Sequence, residues 1–392
     1  KVEDGNTTSD WEPEEVKRKS SIQTSIIPCL WKDYKINVID TPGYADFRGE
    51  AMSGLRVADS ALLVVAAPYG IEVGTQQMWR LAQQRNLPCV IFISKMDREN
   101  VSFQRTVEDL AKSFGKKCVP LQVPIGSQGD LKGVVDLLAL KDDVPAELKG
   151  QVDKARERLV EAVAETDDAL TTKYLEGESL TSEELSQGLK KGVARGQIVP
   201  VLAGASSSGI GVKELMDSLV SLLPSPADVP PEEAANPSSN EKQTIRASND
   251  APLAALVFKT SADAYVGKLS YFRVFSGTLR SDSQVWNTSK GQAERVGQVF
   301  IVRGRTQEQV SEVAAGDIGA VAKLASTSTG DTLCMKDHPM ALKGIEFPSY
   351  VYSMAVYPKT KADMDKMTSA LSRIAEEDPS LKVTRDPSTA EM

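Results

Sequence analysis

The chain is poor in the residues that run most side-chain chemistry. It has one histidine, His338, and four cysteines, Cys29, Cys89, Cys118 and Cys334. Any mechanism that needs an imidazole away from position 338 is excluded. The cysteines lie too far apart for the short spacings of a zinc site, and nothing in their placement indicates an oxidising compartment. No apolar run approaches the roughly 20 residues of a membrane span, and nothing at the start reads as a signal peptide. Excess positive charge is missing too: 46 Lys and Arg stand against 54 Asp and Glu, a formal net charge of −8. There is no global basic footprint for nucleic acid. A local basic patch stays open, because binding follows the distribution of charge. A cytoplasmic location is expected.

What is present is globular. The 392 residues, 41% hydrophobic and 26% charged, suggest two or three domains. Residues 1–30 show no clean period. A strand is predicted over 31–39 and a short helix over 46–58. The apolar runs at 61–67, 88–93, 119–123 and 198–203 read as strands buried on both faces. Helical spacing at 72–86, 103–114 and 212–223 alternates with them, which predicts an α/β parallel sheet. Charged amphipathic helices at 154–164 and 182–195 interrupt that rhythm. Residues 224–252 are rich in Pro, Ala, Ser, Asn and Glu and read as a linker. Short strands with glycine turns then fill 253–325, a β-barrel or sandwich pattern. From Ser349 a strand and then a helix are predicted, with Met364, Met367, Leu371 and Ile374 on one helical face. Lys1 is no initiator, and both ends read as the middle of a longer chain, so a fragment is expected.

The chemistry is concentrated at strand ends. "INVIDTPGY" ends an apolar run on Asp40 and follows it with Thr41, Pro42, Gly43 and Tyr44. In open α/β sheets ligands bind at the carboxyl ends of strands. A carboxylate there can hold magnesium through water, and a glycine three residues on lets a backbone N–H approach a phosphate. On this tetrapeptide alone, a plain capped turn is the stronger account. "VIFISKMD" ends a second strand on Ser94-Lys95-Met96-Asp97, which resembles the guanine-reading Asn-Lys-x-Asp of GTPases. The aspartate can accept from both the N1–H and the exocyclic amine of guanine, a donor pair adenine lacks. "LAGAS" ends the last strand, with Gly204, Ala205 and Ser206 where GTPases place a backbone donor for guanine O6.

With these motifs, "LRVADSALLVVAAPYGIEVGTQQMWRLA", "VFKTSADAYVGKLSYFRVFSGTLRSDSQV" and "MAVYPKTKADMDKMTSALSRIAEEDPSLKV", the whole chain resembles the bacterial elongation factor G family. It is most similar to elongation factor G-like paralogues whose second switch reads Thr-Pro-Gly-Tyr. The resemblance implies a partial α/β P-loop GTPase-type G domain over 1–225, lacking its first strand and phosphate loop, with an inserted subdomain at about 126–198. It implies a linker at 226–252, a translation-factor β-barrel domain II at 253–346, and the start of an α+β ferredoxin-like domain III at 347–392.

By the same resemblance Asp40 is the magnesium aspartate and Gly43 donates its N–H to the γ-phosphate. Asp40, Thr41, Pro42, Gly43, Ser94, Lys95, Asp97, Gly204, Ala205 and Ser206 contact GTP. The family's first switch ends in Arg-Gly-Ile-Thr; the matching Arg18-Lys19-Ser20-Ser21 makes Ser21 the second magnesium ligand. A solvated basic loop over 17–21 is the competing account. Tyr44 stands where the translocases carry a histidine that positions the attacking water. A tyrosine, neutral at pH 7, can hydrogen-bond a water but cannot become a cation, so slow intrinsic hydrolysis is expected. The motif Gly-x-x-x-x-Gly-Lys-Ser/Thr occurs nowhere in the 392 residues, so this piece alone is expected to be inactive.

The implied function is a ribosome-associated translational GTPase. It would use GTP and Mg, with rRNA and ribosomal proteins as partners, no membrane partner, and a monomeric state. A ribosomal protection protein of the tetracycline-resistance type and a non-catalytic ribosome-binding protein are the alternatives.

Overall fold

A computed structural model describes residues 2–140, 144–263, 267–350 and 352–385. It divides into two compact units, one of Ala58–Pro224 and one of Lys1–Val57 with Ser225–Met392. No helix among the described residues is long and apolar enough to cross a membrane.

In the first unit four parallel strands lie in the order Ala61–Ala66, Cys89–Ser94, Val199–Ala203, Cys118–Pro120. Cys89–Ser94 is buried at every position, as a continuous apolar run in a covered sheet requires. Helices Val73–Gln84, Phe103–Phe114 and Val212–Leu222 alternate with these strands in the chain. Phe103–Phe114 starts where the Ser102 side chain accepts from the Arg105 N–H. It buries Thr106, Val107, Leu110 and Phe114, one helical face.

The stretch predicted as one strand, 119–123, is divided. Cys118–Pro120 joins the parallel sheet, and Gln122–Ile125 pairs antiparallel with Gly133–Asp136. Leu121 marks the change of partner: its N–H donates to Val201 while its carbonyl accepts from Leu137. Helices Lys149–Ala164, Asp168–Leu175 and Ser182–Ala194 follow. Leu159, Leu189 and Val193 from these helices bury against Val90, Phe92 and Leu202 of the sheet. Each such side chain contributes about 1.5–3 kcal/mol of burial.

The second unit carries an eight-stranded antiparallel sheet built from Ala254 to Cys334, with the pair Thr278–Arg280 and Glu312–Ala314 beside it. Phe258 and Phe272 are fully buried and belong to separate cores. Residues 31–39, predicted as a lone strand, are the turn and second arm of a hairpin, Ser25–Trp31 with Tyr34–Asp40. Lys32 turns the corner at φ 53°. Pro28 hides the first arm from a pattern search; the arm tolerates it because it has a partner on one side only. The helix Arg48–Val57 forms as predicted.

The stretch read as a linker contains two short strands, Glu232–Ala235 and Lys242–Ile245, and Ala341–Leu342 pairs with the first. No strand follows Ser349 among the described residues; Tyr350, Tyr352 and Met354 are exposed there. The predicted helix beyond it spans Met364–Glu377, and its last residue accepts from the Ala262 N–H at 2.9 Å.

Candidate functional site

The expected site residues fall into two groups, one in each unit. In Ala58–Pro224 the group is assembled by the sheet. Two neighbouring strands, Cys89–Ser94 and Val199–Ala203, end side by side. The loops that leave them are tied by backbone bonds: the Met96 N–H donates to Gly204 at 3.2 Å, and the Gly204 N–H donates to Ile93 at 3.0 Å. A Cβ on Gly204 would collide with the Ile210 carbonyl and with the Phe92 ring at 2.8 Å, so only glycine permits this approach.

Lys95 sits in the left-handed region at φ 58°, with its ammonium 5.5 Å from the centre of the exposed Tyr69 ring. Asp97 accepts from the Ser207 hydroxyl at 2.8 Å through Oδ2. Its Oδ1 is buried and unpartnered. A buried carboxylate oxygen without a donor costs about 1–3 kcal/mol or more, so this atom is open to a ligand N–H. Ser94 is turned inward, 3.5 Å from the Val65 carbonyl. Gly204 and Ala205 use their N–H groups on Ile93 and Ile210. Among the described residues the Ser206 N–H has no such partner, and neither have those of Ser207 and Ser208, so the turn leaves several backbone donors open to a ligand. Ser207 and Tyr69 were not singled out by the sequence; the serine run after Gly204 was the available signal.

In the other unit, Asp40 is the last residue of its strand, opposite Ser25. Burial pushes its carboxyl above the ordinary range, a Ser9 hydrogen bond opposes this, and Asp10 and Glu15 add to it. Thr41 packs on the helix Arg48–Val57: a Cβ on Gly54 would stand 2.9 Å from Thr41 Cγ2. Pro42 is buried, whereas Gly43 and Tyr44 are exposed. Nothing lies within 4 Å of where a Gly43 Cβ would be, and its φ is not left-handed. The protein's own packing therefore gives no reason for glycine at 43. Tyr44 is 62% exposed at the start of the turn Ala45–Phe47. His338 lies exposed on a turn with Met335 after the strand Thr332–Cys334.

Residues 17–21, for which a solvated basic loop was the competing account, are the exposed end of a short helix and the turn that follows it. Pro13–Arg18 is a helix whose Lys17 and Arg18 point to solvent. Lys19 ends it in the left-handed conformation, φ 55°, with its N–H on the Glu15 carbonyl. Buried Glu15 accepts from the Ile22 and Gln23 N–H groups at 2.9 and 3.0 Å. Ser21 donates to Asp10 at 2.8 Å, so Asp10 lies between Ser21 and Asp40 in the local network.

No three His, Cys, Asp or Glu side chains among the described residues could together hold a metal. Magnesium needs only one or two protein oxygens when phosphates complete its shell, and Ser21 and Asp40 are oxygen donors of that kind. Burial pushes the Cys89 thiol up to about 11 and the Cys118 thiol up to about 12, and none of the four cysteines is bonded to another.

Known proteins resemble the chain along its whole length. Residues 1–225 match the model of the elongation factor Tu GTP binding domain, 252–336 that of elongation factor G domain 2, and 347–392 that of elongation factor G domain III. Elongation factor G of Thermotoga maritima is 41% identical, and that of Thermotoga petrophila 40%, each over the whole of this chain and 58% of the relative. A crystal structure from Thermus thermophilus superposes with a TM-score of 0.85 at 29% identity, again over 100% of this chain and 58% of the other. The chain therefore spans a little over half the length of these relatives. It belongs to the elongation factor family whose GTP-binding domain is that of elongation factor Tu, and within it to elongation factor G.

Proposed function

We propose that the full-length protein is a ribosome-associated translational GTPase of the elongation factor G type. It would work in the cytoplasm as a monomer, with GTP, Mg, rRNA and ribosomal proteins as its ligands and partners. The observation that carries this reading is the unpartnered Oδ1 of Asp97, held beside Oδ2 by the Ser207 hydroxyl. A carboxylate fixed in this way offers two acceptors to the N1–H and amine of guanine. Lys95 covers the base, and the Ser206 N–H meets O6, with Gly204 and Ala205 setting the turn.

Asp40 and Ser21 hold magnesium, which when bound would neutralise phosphate charge. Thr41 and Pro42 fix the turn that presents the Gly43 N–H to the γ-phosphate. Tyr44 occupies the position from which a water is oriented. The 392 residues contain no Gly-x-x-x-x-Gly-Lys-Ser/Thr, so on their own they would bind GTP weakly. A second reading, a ribosome-binding factor that does not hydrolyse GTP, is favoured by one observation: an exposed tyrosine, and no histidine, at position 44.

The test is a base swap in the full-length protein. Asp97→Asn replaces one acceptor by an amide donor. GTP affinity should fall by about a hundredfold, and xanthosine triphosphate, which has a carbonyl in place of the amine, should bind more tightly than GTP. Unchanged GTP affinity in Asp97→Asn would remove Asp97 from the base site.

A further inference from the structure

A lysine of the barrel is aimed away from the barrel. Strand Ala254–Asp263 pairs with Gly267–Ser276, and the register slips between Val257 and Lys259. Before the slip, alternation is regular: Leu256 and Phe258 enter one core, Ala255 and Val257 the other. After it, Lys259 stands opposite Tyr271, which belongs to the same core as Phe258. A bulge re-aims a side chain in this way. Strict alternation would have pointed the ammonium into the core that holds Val257 and Phe272. The bulge points it at the hairpin Ser25–Trp31/Tyr34–Asp40, whose Ile26 and Ile39 pack on that side.

Lys259 is 6% exposed, and a charge so buried must be paired. Its ammonium donates to the Thr24 carbonyl at 2.7 Å and the Gln23 side chain at 3.1 Å, and lies 3.5 Å from Glu50 Oε2. The same Glu50 oxygen accepts from the Thr24 N–H at 2.6 Å, and the Glu50 carbonyl accepts from the Thr24 hydroxyl. Three pieces of chain meet here: the segment that leaves Ser21, the helix that follows Gly43, and the barrel.

That helix is tied to the same unit at its far end as well. Buried Arg56 donates to the Lys343 carbonyl at 2.9 Å and to Glu232 at 2.7 Å. Arg273 of the barrel donates to the Val57 carbonyl, and both guanidinium groups lie against the Phe275 ring, 5.5 and 4.8 Å from its centre. The helix Arg48–Val57 is thus tied near both ends to the rest of its unit.

We propose that Lys259 is a positioning residue that locks segment 21–24 and helix 48–57 to each other and to the barrel, so that nucleotide-driven movement of either is passed to the barrel. The nucleotide part rests on the function proposed above, in which Ser21, Asp40 and Gly43 face GTP; the mechanical part does not. A ligand shifts such a lock only as far as it binds the locked and released forms differently, so GTP and GDP must differ in their sensitivity to it.

Two measurements on the full-length protein test this, comparing Lys259→Met with Leu279→Ala, a cavity variant in the other barrel core. The first is amide hydrogen exchange without nucleotide. In Lys259→Met the Thr24 amide and residues 49–53 should exchange at least tenfold faster, with 270–274 changed less than twofold. Leu279→Ala should show the opposite pattern. No change at Thr24, or acceleration that merely follows the barrel, overturns the proposal. The second is nucleotide affinity. Lys259→Met should weaken a non-hydrolysable GTP analogue about tenfold and GDP less than twofold, and Leu279→Ala should weaken neither selectively. Equal weakening of both nucleotides by Lys259→Met overturns the coupling. If the wild type binds neither nucleotide, the GTPase reading and the nucleotide coupling both fail, and the exchange pattern alone decides the mechanical lock.

Discussion

Gly43 is a residue whose reason lies outside the protein. Its φ is ordinary and the space around its missing Cβ is open, so alanine fits without strain. Gly43→Ala should leave the unfolding free energy within about 0.5 kcal/mol of wild type. On the proposed mechanism it should still slow GTP hydrolysis by about tenfold or more, because a methyl group now stands where backbone and phosphate approach. Thermal melts and phosphate release on the same preparation separate the two effects. Asp40, Gly43, Lys95 and Asp97 could be named from the sequence because each stands within a few residues of a strand end, and that is where the structure places them. Lys259 was not: it lay inside a quoted motif, but its role depends on a bulge and on partners more than 200 positions away. Ser207 and Asp10 were missed for the same reason, since a serine or aspartate in a polar stretch has no pattern until its partner is placed.

At the scale of elements, the longer helices and the parallel strands at 89–94 and 199–203 were legible because their apolar periods are unbroken, whereas Ala61–Ala66, read as buried on both faces, leaves Leu62 and Val64 exposed. The hairpin, the short strands at 232–245 and the divided strand at 118–125 were not, because Pro28, a polar composition and a change of partner at Leu121 mask them. Two caps give predictions. Lys19 holds a left-handed conformation that costs an L-residue about 1–2 kcal/mol and glycine little, although glycine loses more entropy on folding. Lys19→Gly should therefore stabilise the helix Pro13–Arg18 by up to about 1 kcal/mol, read as slower exchange of its amides.

In the other unit Glu184 closes a capping box on Ser182–Ala194. Its carboxyl is pulled from the ordinary 4.5 to about 2, first by the Lys173 hydrogen bond and then by the Thr181 N–H. A depressed carboxyl contributes stability above its unfolded value and loses it as pH falls toward the folded one. The wild type should thus lose stability between about pH 4.5 and 2 more steeply than Glu184→Gln, measured as urea midpoints across that range. Parallel curves would show that the cap carries no acid sensitivity.

For the whole molecule, the sequence resemblance extends over the full chain and the family matches agree with it, while the relatives are longer. The order of parallel sheet, inserted helices and barrel was readable because each has its own periodicity and loop chemistry. The segment after Ser349 was read as a strand, but a strand exists only with a partner, and none pairs with it among the described residues. The catalytic question converges on Tyr44. If hydrolysis is limited by the water-orienting position, Tyr44→His should raise intrinsic phosphate release by about tenfold or more while leaving GTP affinity within twofold. An unchanged rate would place the limit elsewhere.

The measurement that bears most directly on the account is phosphate release from GTP by the full-length protein, with and without ribosomes. The account predicts slow release alone and a stimulation of at least about a hundredfold by ribosomes, within the range that completing a phosphoryl-transfer site supplies. Ribosome binding and GTP binding with no stimulated release would contradict it, and would leave a binding factor in which Tyr44 has ended catalysis.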